Sequence, residues 1–196
     1  MNNTKEFIIE QAYSLFLGRS YEAVSIKDIS EAIRFTKGTL YHYFRNKEEL
    51  FKSVVDKYLI ITELSIPNTE ITMVQFIEES LKKNTKIIHD ICGETPGFIP
   101  INYMSLTIDA FRHYPGFANR KEDLLANEIE KIKTIMDNAI ARGEIRKDIN
   151  TSIMAANYVS ITMGMVAPIL LHNNLPGLVI ESMRDQMYEL YKILKI

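Results

Sequence analysis

The 196-residue chain has 46% hydrophobic and 24% charged side chains and a formal net charge of −2, a balance that supports a packed core and excludes a disordered polymer. A single cysteine, Cys92, excludes an internal disulfide, and neither an 18-residue apolar run nor a basic, apolar, small-residue leader occurs, so the expected location is cytoplasmic with no membrane partner. The small net charge hides a local excess: residues 34–57 hold six basic and three acidic side chains, a net +3, while the rest carries 17 basic and 22 acidic, a net −5.

Apolar residues recur at the 3.6-residue period along almost every segment, which predicts an all-α protein of about nine helices. A first helix near 4–18 places Ile8, Ala12 and Phe16 on one face, and GRSYEAVS turns the chain. Ser25 with Asp28 three residues on has the capping-box pattern and opens a short helix carrying Ile26, Ile29 and Ile33 inward. After Arg34 and Phe35, Thr36 can cap a third helix, and Asn46 with Glu49 can cap a fourth that runs to about residue 64. Beyond Pro67 the expected helices are longer, near 72–92, 99–113, 117–142, 150–172 and 177–195, separated by CGETPG, YPG, RGEIRKDIN and NNLPG.

The third helix, within TKGTLYHYFRNKEEL, carries the chemistry. Leu40 and Phe44 are four apart and face inward, while Lys37 and Tyr41 share one outward stripe and Gly38 and His42 the next. A glycine inside a helix costs roughly 1 kcal/mol relative to alanine, so Gly38 suggests that something approaches the backbone closely. A DNA major groove admits one helix whose first residues touch base edges, and hydroxyls and lysines donate to phosphates.

The order LF…SYEAVSIKDISEA followed by TKGTLYHYFRNKEELF, across residues 7–51, resembles the signature of the TetR family of transcriptional repressors. The resemblance implies an N-terminal three-helix helix-turn-helix DNA-binding module over residues 1–46 and a helical ligand-binding and dimerisation domain over 47–196. It implies that Lys37 and Gly38 lie against base edges and that Tyr41 packs on a thymine methyl or reaches phosphate. Thr39, His42 and Tyr43 would hold the DNA backbone, Ser25 and Thr36 would use their hydroxyls and helix-start amides on phosphates, and Lys47 would donate at the start of the fourth helix. Ile29, Phe35, Leu40 and Phe44 would belong to the core. Two positions depart from the pattern: Arg34 and Ser20 stand where the family usually has glycine. If either backbone is left-handed the replacement costs on the order of 1 kcal/mol; Arg34 alternatively gains a phosphate contact.

In the body, GEIRKDIN and the small-residue helix SIMAANYVSITMGM also look like the family, whose last two helices pair between subunits as a four-helix bundle. Met183, Met187, Leu190 and Leu194 recur at 4, 3 and 4 residues, a stripe that suits either internal core or partner surface, with the interface the favoured assignment. Ala156, Ser160, Gly164 and Ala167 would let helices approach closely. Inward candidates for an effector pocket on the middle helices are Ile88, Cys92, Tyr103, Met104, Thr107, Phe111, Asn157 and Met163, a mostly apolar set that also suits an ordinary core. The implied partners are a palindromic double-stranded operator, a small hydrophobic effector and a second copy of the chain; no cofactor or metal is implied.

Two other readings compete with this one. An enzyme is disfavoured because His42, His89, His113 and His172 are scattered and no HExxH, CxxC or glycine-rich phosphate loop occurs. A helix-turn-helix module that contacts protein instead of DNA remains the alternative.

Overall fold

A computed structural model of the chain describes residues 2–59, 68–92, 100–165, 168 and 176–196. Among them are nine helices and no strand: α1 (Asn2–Gly18), α2 (Ile26–Ala32), α3 (Lys37–Tyr43), α4 (Lys47–Tyr58), α5 (Met73–Cys92), α6 (Pro100–His113), α7 (Phe117–Ala141), α8 (Thr151–Gly164) and α9 (Pro176–Leu194). The fold is all-helical, as the 3.6-residue period predicts, and no helix among the described residues is long and apolar enough to cross a membrane. The fourth helix was expected to reach residue 64; α4 ends at Tyr58, and residues 60–67 lie outside the described residues, as do most of 166–175.

Two compact units emerge, the first from Met1–Thr62 with Ile101–Lys121, the second from Glu63–Pro100 with Glu122–Ile196. In the first, Ile8, Ala12 and Phe16 of α1, Ile29 of α2, Leu40 and Phe44 at α3, and Leu50, Phe51, Val54 and Val55 of α4 are buried. Each large apolar side chain hidden this way contributes about 1.5–3 kcal/mol. Phe16 meets Phe51 edge-on at 5.1 Å, and Tyr13 stacks on Tyr58 at 3.8 Å, which ties α1 to α4. Phe35 does not join this core: it is 37% exposed and touches Phe7, itself half exposed, ring edge to face at 6.2 Å. The corner before α3 turns the residue outward, against the core role that the resemblance implies.

The first unit also takes in α6. The buried carboxylate of Asp109 accepts the backbone N–H of Tyr21 at 2.7 Å, and the His113 ring stacks on Tyr21 at 4.4 Å. Tyr103 donates its hydroxyl to the Tyr58 carbonyl at 3.1 Å, closing the α4 end of the same clasp. Packing therefore groups α4 and α6 with α1–α3, a grouping by contact that is distinct from the functional division expected at residues 46 and 47.

Each short helix begins with a side-chain cap, as expected. Ser25 accepts from the Asp28 N–H at 3.1 Å while Asp28 accepts the Ser25 N–H at 2.8 Å; Thr36 accepts from Thr39 N–H at 3.1 Å; Asn46 accepts from Glu49 N–H at 2.8 Å. At the end of α2, Phe35 N–H bonds to the Ser30 carbonyl and Arg34 N–H to the Glu31 carbonyl, a Schellman cap with Arg34 at φ 55°. The end of α7 builds the same cap, Glu144 N–H to Ala139 and Gly143 N–H to Ile140, with glycine at φ 71°. Arginine in that conformation costs on the order of 1 kcal/mol that glycine does not. Ser20, the other departure, has no positive φ and carries no such strain.

The second unit packs Met73, Phe76, Ile77 and Leu81 of α5 with Ile132, Ile135, Met136 and Ala139 of α7, Ala155, Tyr158 and Val159 of α8, and Val179, Met183, Met187 and Leu194 of α9. This corrects the favoured reading of the α9 stripe: Met183, Met187 and Leu194 are buried in their own chain's core, with Leu190 packed against it. Periodicity fixed that these residues share a face, but not what the face meets. Tyr158, buried among them, has its phenol pushed up by desolvation, and its hydroxyl donates to the Met187 carbonyl at 3.4 Å. The α5 start is capped from afar, Glu144 accepting the Met73 N–H at 2.8 Å. Arg146 N–H to the Leu194 carbonyl at 2.8 Å adds a single antiparallel bridge beside Ile145 and Lys195.

Candidate nucleic-acid interface

The seven residues of α3 divide cleanly. Leu40 is fully buried with Phe44, the C-cap, beneath it, whereas Lys37, Gly38, Tyr41 and His42 are exposed and Thr39 and Tyr43 are half-buried. Tyr41 is 51% exposed despite its size, and His42 stands edge-on to Tyr43 at 5.1 Å without being covered by it. Residues 34–38 are exposed without interruption, so the helix begins at an open corner. This outward set of a lysine, a bare backbone and polar-tipped rings is the one the spacing predicted.

Gly38 is not required by the chain's own packing. A Cβ built there would meet only the Thr36 hydroxyl, at 3.6 Å, an ordinary contact, and its backbone is helical. The space beside it is open to something else.

The remaining expected contacts are placed less simply. Ser25 is exposed, but its hydroxyl donates to the Asp28 carboxylate, so its proton is already engaged beside a negative charge. Thr36 is exposed, and its hydroxyl pairs with that of Thr39 at 3.0 Å while capping α3. Lys47 turns its ammonium inward: Nζ donates to the carbonyls of Tyr21 at 2.9 Å and Val24 at 3.1 Å and lies 4.0 Å over the Tyr21 ring. It thereby pins the turn that leads into α2, and Tyr21 is held by Lys47, Asp109 and His113 together. Sequence spacing could not point to Asp109, which lies 88 residues from Tyr21. Glu22 reaches His113 at 3.6 Å from the same turn.

The Asp28 carboxyl is held down to about 2, first by the Ser25 hydroxyl, then by the Ser25 N–H, with Arg19 adding its charge. A folded-state value below the unfolded one gives stability that is present above the ordinary carboxylate range and lost as pH falls through about 2. Acidification from pH 4 to 2 should therefore loosen the start of α2, and Asp28→Asn should flatten that part of the melting-temperature profile. An unchanged profile in the variant would show that the cap contributes nothing to acid sensitivity.

The eight candidate effector contacts do not share one unit. Tyr103, Met104, Thr107 and Phe111 lie on α6 in the first unit, and Ile88, Cys92, Asn157 and Met163 lie in the second. Ile88 is in the second unit's core, Tyr103, Met104 and Thr107 are half-buried, and the Cys92 side chain lies outside the described residues. Phe111 (55% exposed), Met163 (54% exposed) and the exposed Asn157 are corrected: they face outward, not inward. On α6 and α8 the apolar positions run around more of the helix than one buried face can use, so period alone could not choose between sides.

Residues 8–54 match the sequence model of the bacterial regulatory proteins of the tetR family. The chain is similar to UidR of Escherichia coli strain K12, an HTH-type transcriptional regulator, at 25% identity over 168 residues, covering 85% of this chain and 81% of UidR. Among solved structures, a TetR-family transcriptional regulator from Cytophaga hutchinsonii aligns at a TM-score of 0.63 and 20% identity over 99% of this chain and 96% of that one. SmeT, the repressor of the Stenotrophomonas maltophilia multidrug efflux pump SmeDEF, aligns at 0.68 and 11% identity over 98% and 90%. The two structural likenesses concern the fold.

Proposed function

The chain belongs to the tetR family of bacterial regulatory proteins, and from that premise we propose that it is a repressor that binds a palindromic operator as a homodimer and is released by a small hydrophobic effector. The observation that carries the reading is the outer face of α3, where Lys37, Gly38, Tyr41 and His42 are exposed over a buried Leu40 and Phe44. In this reading residues 1–46 read DNA and residues 47–196 hold the effector and the partner subunit. Lys37 and Gly38 meet base edges, Tyr41 meets a thymine methyl or phosphate, and Thr36, Thr39, His42 and Tyr43 hold the backbone. Ser25 and Lys47 act at one remove, the first by capping α2 and the second by fixing the turn before it.

Dimerisation through α8 and α9 is part of the proposal. With the α9 methionines internal, the surface available to a partner is the other side: Ile153, Asn157, Ser160 and Gly164 form an exposed line along α8, and Leu178 is exposed on α9. Two copies of α3 set about 34–36 Å apart read both halves of a palindrome together. Release works through differential affinity: an effector that shifts α6 pulls on Asp109 and His113, hence on Tyr21 and the start of α2.

Selection of bound duplexes from a random pool at physiological salt tests the reading, with a palindrome as the expected product. On the selected site, Lys37→Ala should relax preference at one position per half-site by roughly 1–3 kcal/mol. Affinity should fall steeply with salt. Recovery of no duplex, or of duplexes without symmetry, would remove the operator reading and favour the protein-binding alternative.

A further inference from the structure

The corner between α2 and α3 holds a cation in a conformation that its side chain disfavours. Arg34 is the left-handed residue of the α2 Schellman cap, at φ 55°, and it is the sole non-glycine residue with positive φ among the described residues. The same cap at α7 is built with Gly143, so this chain uses glycine for the geometry elsewhere. Strain of that kind persists where the residue serves something beyond the fold.

The side chain gives the fold nothing in return. Arg34 is exposed, and among the described residues its guanidinium makes no hydrogen bond or ion pair. The nearest acid in sequence, Glu31, is paired with Lys27 at 3.7 Å instead. Exposure continues through Phe35, Thr36, Lys37 and Gly38, so the guanidinium leaves the corner three residues ahead of the lysine that opens α3. An unpaired planar fork of donors at the edge of such a face matches one ligand chemistry best, the paired oxygens of a phosphodiester.

We propose that Arg34 is a DNA-backbone contact that this chain adds at the helix-turn-helix corner, trading native-state strain for a phosphate clamp beside the recognition helix. The assignment rests on the operator reading above. It differs from the roles of Lys37 and Gly38 in predicting affinity without sequence preference, because a phosphate is the same at every step.

The test compares the full chain with Arg34→Gly, Arg34→Asn and Arg34→Lys by fluorescence anisotropy on the selected duplex and on a scrambled one, from 50 to 300 mM salt. Glycine and asparagine tolerate the left-handed corner but carry no charge. Both should weaken the two duplexes by the same factor and lower the slope of log affinity against log salt by about 0.9 for each Arg34 in the complex. Lysine should keep the slope. Arg34→Gly should also melt about 2–4 °C higher, which separates lost affinity from lost fold. An unchanged slope and affinity in Arg34→Gly, with Lys37→Ala still altering base preference, would overturn the Arg34 assignment and leave the operator reading standing. Absence of duplex binding by the unaltered chain would overturn both.

Discussion

Replacing Gly38 with alanine should give a protein that melts higher and binds the selected duplex less well. The stability half follows from helix physics: glycine inside a helix is roughly 1 kcal/mol worse than alanine, and the added methyl would touch only the Thr36 hydroxyl at 3.6 Å. A gain of that size corresponds to about 2–4 °C for a chain of this length. The binding half follows from the proposed interface, where the methyl would enter the space reserved for base edges. A loss of roughly 1–3 kcal/mol, one base contact, is expected. Thermal denaturation and anisotropy on the same sample check both signs. If affinity is untouched while the melting point rises, the surface over Gly38 does not face DNA.

The largest loss of stability is expected from Met187→Ala. Met187 is buried between α9 and the rest of the second unit's core, and truncating a buried methionine to alanine costs about 2–5 kcal/mol through lost burial and the cavity left behind. Because the side chain packs within one chain, the drop in melting temperature should be independent of protein concentration. A residue at a subunit interface behaves otherwise, since association links stability to concentration. A small drop, accompanied by dissociation at low concentration, would restore the interface assignment of the stripe.

The helices and their caps were legible in the sequence because each depends on residues within one or two turns. Ser25 with Asp28, Thr36 and Asn46 all cap as read, and Leu40 and Phe44 are buried while Tyr41 is exposed. What failed needed tertiary knowledge. The period of Met183, Met187 and Leu194 marks a shared face but cannot say whether that face meets its own chain or another. The resemblance places Phe35 in the core, yet beside the left-handed Arg34 it is exposed. Lys47 occupies an expected phosphate-donor position, yet its ammonium serves the carbonyls of Tyr21 and Val24. Asp109 had no local signal at all, since its partner is an amide on a distant turn.

The grip on Tyr21 has a practical corollary. The chain contains no tryptophan, and the Tyr21 ring meets both the Lys47 ammonium and the His113 imidazole, on the turn that α6 steadies. An indole introduced there would be the lone long-wavelength fluorophore, with the His113 ring stacked on it. Its emission would report the separation of α6 from the turn before α2 in real time, with no label attached.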